Sequence, residues 1–445
     1  MGVKIQLSEH FTYNKLLRFV FPSIVMMIFT SIYGVVDGLF VSNYVGKTSF
    51  AAVNLIMPFI MISGALGFMM GTGGSAIVAK TLGEGKKEKA NQYFSMIVYV
   101  TIAAGLFVSL MGFLLVRPVA RGLGAEGYML EQCVLYGRIS FISLAAFMLQ
   151  NVFQSFFVAA EKPHLGLYVM IAAGLTNMVL DFLFIAVFQW GVAGAAAATA
   201  TSEIVGGLTP LIYFGRKNGS LLQLTKTKLS GRILLKACTN GSSELMSNLS
   251  MSLVNMLYNF QLMKLAGENG VAAYGVIMYV NFVFVSAFLG YSIGSAPIVG
   301  YNYGASNHSE LKNIFRKSMT LVGIGGIVLV TMAVSLSSLL ARLFVGYDAN
   351  LMAMTSHGFR LYALAFLING FNIYGSSFFT ALNNGLISAA ISFLRTLVFQ
   401  TVMLVVLPMI LGLDGIWLAI VAAETLALIV TIQFLVRKRN VYHYG

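Results

Sequence analysis

The chain has 445 residues, 58% of them apolar and 10% charged, with a formal net charge of +13 and a mean hydropathy of +0.84. That balance excludes an ordinary water-soluble domain, in which about half the residues are apolar and about a quarter charged. Nor does the positive charge point to nucleic acid, because the basic residues fall in loops between apolar stretches, the pattern of membrane topology.

Residues 1–18 carry Lys4, Glu9, His10, Lys15 and Arg18, and the apolar stretch that follows is too long for a signal peptide, so it reads as a first spanning helix. Twelve spans are predicted, at 17–44, 51–79, 93–116, 132–160, 166–188, 191–214, 233–265, 270–300, 315–340, 356–382, 386–411 and 414–436. Most exceed the ~20 residues needed to cross the hydrocarbon. Span 2 is rich in glycine (Gly64, Gly67, Gly71, Gly73, Gly74) and residues 193–200 are nearly all alanine, which suits close helix packing. Between spans 6 and 7, Arg216-Lys217-Asn218-Gly219-Ser220 reads as a linker. The expected organisation is a lobe at 1–214, a cytoplasmic linker at 215–232 and a second lobe at 233–445.

With both termini inside, 20 Lys and Arg fall on the cytoplasmic side, from Lys4 to Arg439, against five outside: Lys47, Arg117, Arg121, Lys264 and Arg342. This follows the positive-inside rule. Arg138, Arg360 and Arg395 remain near or within spans. Cys133 and Cys238 fit no metal or redox spacing and read as ordinary thiols. The five histidines are scattered near loops and ends, which argues against an enzyme.

The sequence also reads twice. Residues 46–203 overlay 267–424 at a constant shift of 221: Gly46 on Gly267, Gly73 on Gly294, Gly83 on Gly304, Asn151 on Asn372, Gly194 on Gly415 and Glu203 on Glu424. Each half has an even number of spans, so the two lobes should be parallel repeats, related by a pseudo-twofold axis along the membrane normal. The fold class is an all-α integral membrane protein of twelve helices in two six-helix lobes.

Five carboxylates fall inside spans: Asp37, Asp181, Glu203, Glu244 and Glu424. Each costs ~2.5 to 3.5 kcal/mol at mid-membrane unless it has a partner or a wet cavity. At ~1.5 Å per residue, Asp37, Asn177, Asp181 and Thr199 lie about 10 to 17 Å in from the outer ends of their spans. Asn177 and Asp181, spaced i and i+4, share a helix face. Two carboxylates, an amide and a hydroxyl make an all-oxygen site for a hard cation; the same pair of acids could equally share a proton, or each could simply bind a neighbouring hydroxyl. At shift 221 these residues map to Tyr258, Val398, Val402 and Ile420, so the second half lacks the constellation. Glu203 and Glu424, kept in both halves, look like shared architecture, with a gating or substrate-cation role as the alternative; Glu203 is a candidate cavity residue on that alternative. Glu244, in Gly241-Ser242-Ser243-Glu244-Leu245, could attract a cationic substrate from the inside or pair with a base.

Several motifs occur in order along the chain: Ser31-Ile32-Tyr33-Gly34-Val35-Val36-Asp37-Gly38 in span 1, Leu82-Gly83-Glu84-Gly85 after span 2, Gly191-Val192-Ala193-Gly194 opening span 6, and Pro297-Ile298-Val299-Gly300-Tyr301-Asn302-Tyr303-Gly304 ending span 8. With the two six-span halves, the chain resembles the multidrug and toxic compound extrusion (MATE) transporters over essentially its whole length, and most nearly their bacterial multidrug branch. The resemblance implies a secondary exporter that antiports lipophilic, cationic compounds against H+ or Na+ by rocking of two lobes. It implies a monomer in the bacterial cytoplasmic membrane, with no cofactor beyond the coupling ion. Asp37, Asn177, Asp181 and Thr199 match the family's cation-coupling positions, and would be ligands of Na+ if that ion is used. Pro22 matches a helix-1 hinge, and Tyr33, Tyr136, Asn151 and Gln154 match cavity positions. Some members place essential carboxylates in helices 7 and 10; here span 10 has none and span 7 has Glu244 alone. A related flippase for a lipid-linked oligosaccharide is the alternative, but it would want cavity Arg or Lys for pyrophosphate.

Overall fold

The computed structural model describes residues 5–445, with only the backbone of Lys47; Lys4, counted among the inside cations, lies outside the described residues. The described chain is helical apart from its connections. In chain order come α1 (Tyr13–Tyr44), α2 (Lys47–Gly83), α3 (Lys87–Gly122), α4 (Gly127–Ala159), α5 (Pro163–Asp181) with a π turn Phe182–Val187, and α6 (Gly191–Gly215). A 74-residue run, Gly231–Gly304, is broken at Gly267 (φ 61°, ψ −151°) into α7 and α8. Then follow α9 (His308–Val345) and α10 (Ala349–Ala363 and Phe366–Ala381, bent by 48°). The last two are α11 (Gly385–Leu411, with a π turn at Leu394–Phe399) and α12 (Leu413–Tyr442). These make the twelve expected spans.

Side-chain oxygens fix several helix starts. Thr12 caps α1 by accepting from the Lys15 N–H (3.3 Å), Asn307 caps α9 through Glu310 N–H (3.2 Å), and Asp348 caps α10 through two N–H groups. Each cap satisfies donors that the helix itself leaves open. The glycine stripe of span 2 does what small residues do in membranes: a Cβ on Gly67 would sit 2.6 Å from the Met148 Cα, and one on Gly71 3.0 Å from the Val152 Cα. Helices α2 and α4 therefore pack backbone to backbone.

The repeat is visible in the backbone. The positive-φ residues Gly46 and Gly267, Gly85 and Ser306, and Gly191 and Gly412 are pairs at a shift of 221. The ungapped shift fails at one place: Glu161 (φ 57°) pairs with Asn383 (φ 60°) at 222. Each following span contains a π turn, at the end of α5 and in the middle of α11, so extra residues are absorbed inside the helices. The second half lacks the acid and amide pair in either register, because 222 takes Asn177 and Asp181 to Phe399 and Met403.

The two halves meet on the face that carries both chain ends and the linker. A Cβ on Gly83 would collide with the Tyr301 carbonyl, and one on Gly304 with the Lys80 carbonyl. Those two contacts exchange under a shift of 221, as a twofold axis through the seam requires. A Cβ built on Gly300 falls 3.2 Å from Ala79 Cβ, its own repeat partner. Toward the opposite face the seam gives out: Gly34 and Gly38 of α1 meet nothing within 4 Å. The lobes are thus closed at the terminal face.

The linker is not slack. Gln223 N–H donates to Asn91 Oδ1 (3.0 Å), Thr225 N–H to Ser95 Oγ (2.8 Å) and the Thr227 hydroxyl to the Gln92 carbonyl (2.9 Å). Residues 216–230 are strapped along the start of α3, with Leu222 fully buried.

Candidate functional site

In the half of the first lobe away from the chain termini, α1, α5 and α6 bring together the four residues expected to bind a cation. Asn177 and Asp181 lie on one face of α5, both fully buried. Asn177 Nδ2 reaches Thr199 Oγ1 of α6 at 3.5 Å. From α1, the half-buried Asp37 brings its carboxyl up to that of Asp181. Asp37 Oδ1, Asn177 Oδ1 and both oxygens of Asp181 are buried without a hydrogen-bond partner. Buried acceptors are normally satisfied, and two facing carboxylates repel unless a positive charge lies between them. Four orphaned oxygens converging from two helices, α1 and α5, with the Thr199 hydroxyl of α6 beside them, therefore fit a cation or a shared proton. Among the described residues no three His, Cys, Asp or Glu side chains converge for a metal; the set is two acids plus neutral oxygens.

Glu203 of α6 belongs to the same neighbourhood. It accepts a hydrogen bond from Ser143 Oγ of α4 at 2.5 Å, and lies within electrostatic reach of Asp37 and Tyr33. Tyr136, buried on α4, is within reach of Asp37, Asp181 and Glu203. Gln154 points its Nε2 at Met170 Sδ (3.6 Å). Asn151 donates instead to the Phe147 carbonyl of its own helix (2.9 Å). Pro22 is buried within an unbroken α1, where its missing N–H removes one rung of the helix.

Glu244 stands apart. It is on α7 of the second lobe, within electrostatic reach of Arg395, and is not brought to the first-lobe cluster.

Two participants escaped the sequence reading. Ser143 is one; Gln150 is the other, with its Nε2 3.4 Å from Met170 Sδ and its Oε1 buried without a partner. The spacing of Gln150 and Gln154, i and i+4 on one apolar helix, was the available signal for the latter.

The second lobe corrects the view that Glu203 and Glu424 serve one shared architecture. Glu424, fully buried, holds an ion pair with Arg395 Nε (2.7 Å) and accepts from Asn372 Nδ2 (2.7 Å). Thr431 donates to Asn372 Oδ1 (2.9 Å) and completes the network. Arg395 has no counterpart in the first half: the two registers give Gly174 and Ala173, and a Cβ on Gly174 would meet the Phe29 and Tyr33 rings. The same acid is neutralised by the protein in one lobe and left without a basic partner, among the described residues, in the other.

A twelve-span protein of two pseudo-symmetric lobes, with unsatisfied oxygens gathered inside one of them, has the architecture of a membrane transporter. The MatE family model matches residues 22–183 and again 245–406. The chain belongs to the MatE family, a family of transporters and not of enzymes. It is 25% identical to the multidrug export protein MepA of Staphylococcus saprophyticus, over 96% of this chain and 94% of that one. It also matches MepA of Staphylococcus aureus at 23% identity over 96% and 94%. Among solved structures, a MATE family transporter of the MOP superfamily in an outward-facing conformation superposes with a TM-score of 0.93, at 24% identity over 100% of this chain and 99% of that one. The protein is thus a multi-pass membrane protein with the MATE fold.

Proposed function

We propose that this chain is a cation-coupled antiporter that exports lipophilic, cationic small molecules, and that Asp37, Asn177, Asp181 and Thr199 hold the coupling H+ or Na+. The observation that carries the reading is the convergence of four partnerless buried oxygens from two helices of one lobe. Tyr33, Tyr136 and Glu203 lie around that cluster and supply aromatic and anionic surface for an organic cation, with the Gln154 amide further along, at Met170 of α5. Curated relatives carrying the name multidrug export protein support this substrate class. The excess of Lys and Arg at the terminal face supports a cytoplasmic position for that face and for the closed seam.

A coupling ion drives transport only through its differential affinity for the two states. Cation binding between Asp37 and Asp181 neutralises their repulsion and draws α1 toward α5; its loss frees α1. Alternation between the two lobes then carries substrate across. The flippase alternative lacks support, because the intramembrane arginines are engaged: Arg138 over the Phe113 ring (5.1 Å), Arg360 on Ser337 (2.9 Å) and Arg395 on Glu424.

Asp37→Asn and Asp181→Asn are each expected to abolish gradient-driven efflux and leave membrane insertion intact. The measurement is uptake of a fluorescent cationic dye into inverted vesicles under imposed Na+ or H+ gradients. Full uptake by both variants would refute the coupling site.

A further inference from the structure

Ahead of α1, residues 5–12 run across the terminal face and touch both lobes. The Leu7 N–H donates to Glu161 Oε1 (2.8 Å), in the turn between α4 and α5 of the first lobe. Four residues later the Phe11 N–H donates to Glu310 Oε1 (2.9 Å) on α9 of the second lobe. His10 Nδ1 lies 2.7 Å from Glu310 Oε2. The Phe11 carbonyl accepts from Asn313 Nδ2 (3.0 Å) and Lys317 Nζ (2.6 Å), and the Leu7 carbonyl from Asn302 Nδ2 (3.4 Å). Leu7 and Phe11 are fully buried, and Glu310 nearly so. The strap is stiffened locally, with Gln6 N–H on Glu9 Oε1 (3.0 Å) and Lys15 Nζ on Glu9 Oε2 (2.7 Å). Lys15, then the Gln6 N–H, hold the Glu9 carboxyl below its usual pKa.

The strap is therefore fastened to the first lobe by α1 and Glu161, and to the second by Glu310, Asn313 and Lys317. Four residues of fully extended chain span at most about 14 Å, so the strap has little length to give when the lobes part at this face. Hydrogen bonds to a carboxylate are among the stronger ones in proteins. A grip on both lobes at once requires them to stay close at this face. The linker, which leads into the second half as the strap leads into the first, lies on the matching end of α3. Each half thus sends its leading segment onto the third helix of the other.

We infer that residues 5–12 are a latch that holds the cytoplasmic face shut, and that Glu310 is the positioning residue on which it closes. The inference rests on the rocking of lobes proposed above. Removing an interaction made in one state only shifts the equilibrium toward the other. Glu310→Ala therefore raises the population open to the cytoplasm.

Cys238, on α7 beside Met70 of α2 across the seam (Sγ to Sδ 3.9 Å), reports that opening. In a Cys133→Ser background, thiol labelling of Cys238 is expected to accelerate about five- to tenfold in Glu310→Ala, a shift that a two-state equilibrium can make for the loss of one charged anchor. Glu310→Gln, which keeps a carbonyl oxygen for the Phe11 N–H, is expected to label at an intermediate rate. Removal of residues 2–11 should reproduce the acceleration if Glu310→Ala does not fold. An unchanged rate in the folded variant overturns the latch. The labelling needs no transport: acceleration without wild-type dye efflux would leave the latch standing and refute the antiport reading, and normal efflux with unchanged labelling would do the reverse.

Discussion

Arg395 shows how much one residue decides. Its guanidinium meets Glu424 inside the second lobe, where Asn372 and Thr431 complete the set. The first lobe keeps the acid as Glu203 but gives it only a serine hydroxyl, Ser143. Arg395→Met would leave Glu424 charged, buried and unpaired, and is expected to destabilise the folded protein by about 3 to 5 kcal/mol. The double variant Arg395→Met with Glu424→Gln removes the stranded charge and should recover most of that loss. Thermal unfolding of both proteins in detergent measures it; equal losses in single and double variants would show that packing, not charge, fixes Arg395. The acids were legible in the sequence because a carboxylate within a span is rare and costly. The neutral partner of Glu203 was not: serine is a common residue type in such chains, and only the rotation of α4 against α6 brings Ser143 to that acid.

At the scale of elements, the spans were legible almost to their ends, because apolar length is a strong signal. The breaks were less so. Nothing in the residues of α5 or α11 announces a π turn, yet both spans contain one; the halves are already a residue out of register at Glu161 and Asn383, ahead of both turns, and back in register at Gly191 and Gly412, beyond them. Nor did the linker's polar composition disclose that its backbone donors are spent on α3. The turn between α7 and α8 is narrower still, with one residue, Gly267, at φ 61° and ψ −151°. That region is open essentially to glycine alone. A Cβ there would meet nothing within 4 Å, so any cost of substitution is in the backbone. Gly267→Ala is expected to lose about 1 to 3 kcal/mol, read as a lowered thermal midpoint; a midpoint equal to wild type would mean that α7 and α8 join without strain.

For the whole molecule, the sequence repeat specified two lobes and a twofold axis, but not where the lobes touch. That depends on which end of each bundle carries small residues facing the other, and it falls at the terminal face, where Gly83 and Gly304 admit each other's neighbouring carbonyls. Ala79 and Gly300, equivalent in the repeat, face one another at the axis. The 3.2 Å between the Ala79 Cβ and a Cβ built on Gly300 is a few tenths of an ångström short of a disulfide's usual Cβ separation, about 3.5 to 4.5 Å. Small relaxation would let Ala79→Cys and Gly300→Cys form a bond, in a background with Cys133 and Cys238 replaced by serine. If transport requires this face to open, the oxidised protein should bind dye from the outer side but carry none across, and reductant should restore the flux. Proteolytic cleavage in the linker, at residues 216–230, reports the extent of cross-linking, since joined halves then migrate as one band. Undiminished transport by fully cross-linked protein would mean that substrate crosses without the lobes parting at the cytoplasmic seam, and that the cluster around Asp37 works within a single lobe.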